Sequence, residues 1–257
     1  MNSGHLLKEK VIVISGGTKG IGRELAIACA EAGAKIAIGG RDSEAAKMII
    51  EEIRKRGSHG IFVYTDLCQP QACKALFDKE ADTFGRIDGF VNYAGVTPIA
   101  TLLETKPEML DEVMAVNFKA AFLCSQYAIE NMKKLGGGSI VLVNSCHADH
   151  GDMDRAAYAC SKGALLTLAE HISNHYAAQG IRCNTLTMGW SLTEGEKKLR
   201  EKQHVPIEEI EKRAAELIPM GRMQTASDYI PGFLYLLSDY SSMMTGANLR
   251  ISGGLYL

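Results

Sequence analysis

Short apolar runs alternate with helix-length amphipathic stretches along the whole chain of 257 residues. Strand-like segments fall at residues 10–15, 35–40, 61–64, 87–92, 139–144, 182–186 and 247–251. Between them, helical patterns run over 21–32, from a cap at Ser43 to near Gly57, and over 69–84, 107–133, 155–178 and 226–237, the last with Pro231 in its first turns. Strands that are apolar at nearly every position, each followed by a helix, imply a parallel sheet buried on both faces. The pattern predicts an α/β fold with a doubly wound parallel sheet of about seven strands and helices on both faces. No linker or repeat interrupts it, so residues 1–257 read as a single domain, with residues 1–10 a short leader into the first strand. An apolar fraction of 46% supplies ample core.

The first strand runs into Ser15-Gly16-Gly17-Thr18-Lys19-Gly20-Ile21-Gly22 and then a helix. Glycines there permit a tight turn and let the backbone approach a pyrophosphate, while the helix N-terminus offers N–H groups and a positive dipole end. The Gly-x-x-x-Gly-x-Gly spacing differs from the commoner Gly-x-Gly-x-x-Gly, so the turn alone is also compatible with a simple tight connection. The end of the second strand bears on cofactor choice. An acid there grips the ribose hydroxyl of NAD, and an arginine accommodates the 2′-phosphate of NADP. Here Gly40 leaves room, Arg41 offers a planar fork and Lys19 a second charge, against the competing Asp42. This favours NADP(H), with NAD(H) the alternative.

Tyr158 and Lys162 stand four apart, on one face of a helix. The ammonium is expected to lower the phenol from its reference of about 10 and let it exchange a proton near neutral pH. A Tyr-Lys pair at this spacing is usually a solvated face, and it gains weight only beside the glycine turn and the strand-end Ser145. Net charge is −2, so no basic field calls for nucleic acid or an anionic membrane. No apolar run is long enough for a membrane span, and no signal peptide is evident. The seven cysteines are odd in number and form no Cys-x-x-Cys pair, which suits a reducing cytoplasm. Cys146 and Cys160 flank the site and read as steric filling.

With these motifs in this order, the chain resembles the short-chain dehydrogenase/reductase family over nearly its whole length. The resemblance rests on the glycine turn, Asp66-Leu67 after the third strand, Asn92-Tyr93-Ala94-Gly95, Asn117, Ser145, and Tyr158 with Lys162. It departs at Ser15, where the family carries threonine, at Tyr93, where it carries asparagine, and at Met188-Gly189, where it carries Pro-Gly; Thr193 matches. The resemblance implies a Rossmann-type fold and an NAD(P)-dependent oxidoreductase acting on an alcohol or ketone. It implies that Ser145 binds the substrate oxygen and that Tyr158 transfers the proton. Lys162 would hold the nicotinamide ribose, and Asn117 a water in a proton relay. It implies cofactor contacts from Gly16, Thr18, Lys19, Gly20, Ile21, Gly22, Arg41, Asp66, Leu67, Asn92, Ala94, Gly95, Gly189 and Thr193, with Asp66 at the adenine edge. No metal is expected.

Between Ser145 and Tyr158 the chain carries His147, Asp149, His150, Asp152, Asp154 and Arg155, where family members carry small apolar residues. A pocket for a sugar or polyol and a solvated loop are about equally compatible with this, and metal ligation is the weaker reading. A steroid or acyl-thioester ketone competes as substrate. His171 and His175, four apart, lack a third ligand and suit an exposed face. Residues 191–217, with Glu194, Glu196, Lys197, Lys198 and Arg200, occupy the family's substrate-lid region, with Trp190 at its mouth. Apolar residues on more than one stripe (Phe118, Ala121, Phe122; Leu165, Leu166, Leu168) and the tail Leu255-Tyr256-Leu257 suggest a homotetramer or homodimer. A nucleotide-sensing module on the same fold is the rival from another class; the intact Ser145, Tyr158 and Lys162 argue against it.

Overall fold

A computed structural model of the chain describes residues 6–193, 195–197, 201 and 204–256. Seven strands are parallel in one sheet: β1 (Val11–Ser15), β2 (Lys35–Gly40), β3 (Gly60–Tyr64), β4 (Gly89–Asn92), β5 (Gly138–Ser145), β6 (Ile181–Met188) and β7 (Asn248–Ile251). Their order is β3-β2-β1-β4-β5-β6-β7. Every residue of β1 and β4 is buried, as expected for strands covered on both faces.

Helices α1 (Gly20–Glu31), α2 (Ser43–Lys55) and α8 (Ala226–Leu237) cover one face. There Leu25, Ile49, Ile53 and Phe233 pack on Ile12, Ile14, Ile36 and Ile38. Helices α3 (Pro70–Phe84), α5 (Ala120–Leu135) and α6 (Ala156–Tyr176) cover the other, with Leu76, Phe77, Cys124 and Leu165 on Val13, Phe90 and Leu142. A third, smaller cluster joins Ile210 and Ala214 of α7 (Ile207–Leu217) to Ile218, Met223, Cys146 and Leu255. The tail expectation is corrected here. Leu255 is buried against its own chain at 6% exposure, so it is not left over for a partner; Leu257, like residues 1–5, lies outside the described residues.

One further expectation changes. The cap of α2 is Asp42, not Ser43: Asp42 sits in extended backbone and its carboxylate accepts the Ala45 N–H at 3.0 Å, while Ser43 already begins the helix. The helix expected over 107–133 runs without interruption from α4 (Pro107–Met114) through a π turn (Ala115–Lys119) into α5. The wide turn carries Asn117 inward. Its Oδ1 accepts the Val96 N–H at 2.8 Å, and its Nδ2 donates to the Val96 carbonyl at 2.9 Å and to the Ser161 hydroxyl at 3.0 Å. These three bonds compensate the lost helical register of the turn, a local arrangement common at functional sites.

The topology places the site. β1 pairs with β2 on one side and β4 on the other, so successive connections leave in opposite directions and open a crevice at the carboxyl ends of the strands. β5 pairs with β6 from Gly138↔Ile181 to Ser145↔Met188, which sets the Met188-Gly189 pair beside Ser145. Among the described residues no helix is long and apolar enough to cross a membrane.

Candidate active site

A cleft of about 850 Å³ lies along this carboxyl edge. One end is built by the glycine turn. Gly16 has φ +83, and its N–H donates to the Gly39 carbonyl at 2.8 Å, tying β1 to β2. A Cβ on Gly16 would come within 2.7 Å of the Ala94 backbone, and one on Gly22 within 2.4 Å of the Gly16 carbonyl oxygen. The turn thus closes only without side chains at these positions. Tyr93 explains its departure from the family pattern: its ring packs over Gly22, where a Cβ would lie 2.8 Å from it. Ser15 keeps its hydroxyl in use, donating to Asn92 Oδ1 at 3.1 Å and fastening the ends of β1 and β4.

No side chain caps α1, so the N–H groups of its first turn are left for an anion. Gly16, Thr18, Lys19 and Ile21 line the cleft there; Gly20 and Gly22 shape the turn without lining it. At the end of β2, Arg41 is exposed on the cleft and has no ion-pair partner among the described residues. Asp42 is already engaged. It caps α2 and pairs with Lys19 Nζ at 2.8 Å, a contact that holds its carboxyl below the usual range. Gly40 has Thr18 against it, at 2.8 Å from where a Cβ would stand. Asp66 and Leu67 line the adjacent wall, and the Asp66 carboxylate accepts the Cys68 N–H at 3.1 Å. The uncapped N–H groups of α1, glycines that let the backbone approach, and an Arg41 guanidinium without an ion-pair partner among the described residues form a set that fits a dinucleotide carrying phosphates.

Deeper in the cleft, Ser145, Tyr158 and Lys162 converge, with Ala94 and Gly95 opposite. Ser145 ends β5, and its hydroxyl accepts the His147 N–H at 3.3 Å. Lys162 is 3% exposed; its ammonium donates to the Val143 carbonyl at 2.8 Å and lies 5.6 Å from the Tyr158 ring centre. Burial pulls Lys162 down to about 8. The expectation that Lys162 lowers the Tyr158 phenol does not hold in this structure. Burial raises the phenol, and the nearby Ser145 hydroxyl only offsets part of that. The ammonium is bound to a backbone carbonyl instead of the phenol. Asn117 is brought close, since a Cβ on Gly95 would lie 3.3 Å from its Oδ1 and 3.7 Å from Lys162 Nζ, but it and Asn92 lie behind the cleft wall.

The far end of the cleft is polar. His147, Asp152, Asp154 and Arg155 line it. The His147 ring meets the Tyr158 ring edge-on at 5.8 Å, and burial lowers its pKa. Asp149 turns away to pair with Arg250, and His150 lies against Tyr256 at 5.2 Å. Met188, Gly189, Trp190 and Thr193 form another wall. Trp190 donates to Glu196 at 3.0 Å while packing on the third cluster, so it both lines and supports the cleft. The Thr193 hydroxyl accepts the Glu196 N–H at 3.1 Å. Glu194, Lys198 and Arg200 lie outside the described residues. Sequence reasoning missed Glu112, Arg213, Leu217 and Tyr256, which also line the cleft. No local motif marks them; they arrive from three separate segments. His171 and His175 are exposed, 4.4 Å apart, and the described residues contain no cluster able to hold a metal ion.

Known proteins resemble this chain in sequence and in fold. A family model described as enoyl-(acyl carrier protein) reductase matches residues 16–256. An uncharacterized oxidoreductase of Thermotoga maritima is 38% identical, covering 95% of this chain and 96% of its own length. An L-rhamnose 1-dehydrogenase (NAD(P)(+)) of a Sphingomonas species is 32% identical, covering 98% of each chain. A crystal structure of a short-chain type dehydrogenase/reductase from Mycobacterium marinum has a TM-score of 0.86 at 28% identity, covering 97% of this chain and 96% of that one.

Proposed function

This chain belongs to the short-chain dehydrogenase/reductase family, an NAD(P)-dependent oxidoreductase family, and on that premise we propose that it interconverts a secondary alcohol and a ketone with NADP(H), on a polar, sugar- or polyol-like substrate. The observation that carries the reading is the convergence of Ser145, Tyr158 and Lys162 at the sheet edge, beside a cleft whose other end is a glycine turn. When bound, the nicotinamide dinucleotide supplies the two-electron redox chemistry. The glycine turn and the open N-terminus of α1 would hold its pyrophosphate, Asp66 and Leu67 its adenine side, and Ala94, Gly95, Gly189 and Thr193 the rest.

The protein's own groups do the proton chemistry. Tyr158, kept neutral by burial, is a proton donor in the direction of ketone reduction. The Ser145 hydroxyl would hold the substrate oxygen. The Lys162 ammonium would stabilise the phenolate as it forms, since it is close but not bound to the neutral phenol. The Asn117 side chain is tied to Val96 and Ser161, so its part in a relay is to hold the backbone around a water.

Arg41, which lines the cleft without an ion-pair partner among the described residues, and the engaged Asp42 support NADP(H) over NAD(H). The polar end of the cleft and the likeness to a rhamnose dehydrogenase support the substrate class. Exposed Phe122, Leu102 and Leu103 support an assembly, a homotetramer or homodimer, although Ala121, Leu165 and Leu168 are covered within one chain. Seven free thiols, five of them buried, suit the cytoplasm. A panel of sugars, polyols, hydroxysteroids and 3-oxoacyl thioesters, followed by nicotinamide absorbance with NADP(H) and NAD(H), tests the reading. Tight nucleotide binding without turnover of any of them would point to the sensor alternative.

A further inference from the structure

We propose that Arg155 anchors an anionic group of the substrate, a carboxylate, so that the alcohol handled at Tyr158 belongs to a polyhydroxy acid rather than a neutral sugar. The proposal rests on the oxidoreductase reading above and narrows its substrate. Arg155 precedes α6, three residues before Tyr158, and lines the polar end of the cleft. Its side chain is only 12% exposed. Its Nη1 is fully buried and has no hydrogen-bond partner. The nearest carboxylate oxygen, on Asp154, stands 3.9 Å away, outside hydrogen-bond reach, on a side chain 46% exposed.

Other arginines withdrawn from solvent have their bonds made within the fold. Arg182, also withdrawn from solvent, donates to the carbonyls of Met244, Leu236 and Ser238. Arg250 is bonded to Asp149 and to the Tyr256 carbonyl. A guanidinium has five donors; at Arg155, Nη1 lacks a hydrogen bond and the long ion pair with Asp154 only partly offsets the buried charge, so a further anionic partner is favoured. The partner that fits a planar fork in a substrate cleft is a carboxylate or another oxyanion. Arg155 stands three residues before Tyr158 and both line the same cleft, so one substrate can reach both. Asp152 and Asp154 stand on the same wall as acceptors for hydroxyl groups. They disfavour an acid without hydroxyls and suit one that carries them.

The test compares aldonates of five and six carbons with the matching aldoses, alditols and sugar phosphates, in wild type, Arg155→Lys and Arg155→Gln. Turnover is read with NADP+, binding by calorimetry in the presence of NADP+, and NADPH affinity by fluorescence. The expected result is turnover of an aldonate whose KM rises at least about 10-fold in Arg155→Gln and less in Arg155→Lys, with NADPH affinity unchanged, as loss of a charge-assisted bond predicts. Preference for a sugar phosphate over every aldonate would overturn the carboxylate assignment. Turnover of neutral sugars that is indifferent to Arg155→Gln and uninhibited by aldonates would overturn the proposal while leaving the oxidoreductase reading intact. Aldonate binding that Arg155→Gln abolishes, without turnover of any substrate, would uphold the anchor and sink the oxidoreductase reading. A wild-type protein that neither binds nor turns over any acid in the panel would overturn the proposal.

Discussion

Glu80 offers a test of the physical reasoning that does not depend on any ligand. It lies on α3 at 0% exposure, and neither carboxylate oxygen has a hydrogen-bond partner. Burial, aided by the Asp88 carboxylate, raises its pKa to about 8. The unfolded chain should titrate near the reference of about 4.3. The native state therefore binds an extra proton between these two values, and its stability falls as pH rises through that window. The contribution is fully present below the unfolded pKa and lost by the time pH passes about 8. Each pH unit is worth about 1.4 kcal/mol for one proton, so from pH 5 to pH 8 the loss is on the order of 4 kcal/mol. That is a large share of a stability that is typically about 5–15 kcal/mol. Glu80→Gln removes the titration and keeps the shape. Urea unfolding of both proteins at fixed protomer concentration, at pH 5, 6, 7, 8 and 9, should show the variant gaining on the wild type up to about pH 8 and then running parallel. Activity at pH 7 should be unchanged, because Glu80 does not line the cleft. A difference that is constant with pH, or that shrinks as pH rises, would refute the account of a neutral buried acid.

Tyr158→Phe is expected to retain fold and cofactor binding and to lose turnover at least ~100-fold, the size of a general-acid contribution; turnover near that of wild type would sink the proton-transfer role. Arg41→Ala should weaken NADPH by about 10-fold or more and NADH much less, read by fluorescence titration, since only NADPH carries the 2′-phosphate. Equal losses, or a wild type that prefers NADH, would promote Asp42 instead. Light scattering coupled to size exclusion should find a tetramer or dimer that covers Phe122, Leu102 and Leu103; a stable monomer at micromolar concentration would show that these side chains simply face water.

Periodicity alone determined the layered architecture. Apolar strands such as β1 have no polar face to give to solvent, so a parallel sheet with helices on both sides was legible before any coordinates. So was the glycine turn between β1 and α1, whose close backbone approaches at Gly16 and Gly22 leave no room for side chains. Helix spacing likewise put Tyr158 and Lys162 on one face. What periodicity could not carry was environment. The shifts of Tyr158 and Lys162 follow first from burial, and the ammonium's partner is the Val143 carbonyl, which comes from β5 and not from the Tyr-Lys motif. The π turn within the helix expected at 107–133 goes with the bonds of Asn117 to Val96, 21 residues away. Asp42 reads as a possible ribose ligand in sequence, and only its bonds to Lys19 and Ala45 show that it is occupied. The polar loop was visible as composition, yet it took the folded chain to separate Asp149, paired with Arg250, from Arg155, buried in the cleft without a hydrogen bond to its Nη1. Local order is set by short-range sterics and hydrophobic patterning, which the sequence displays directly. Charge state and pairing depend on which distant segments exclude water from a side chain, and only the tertiary structure decides that.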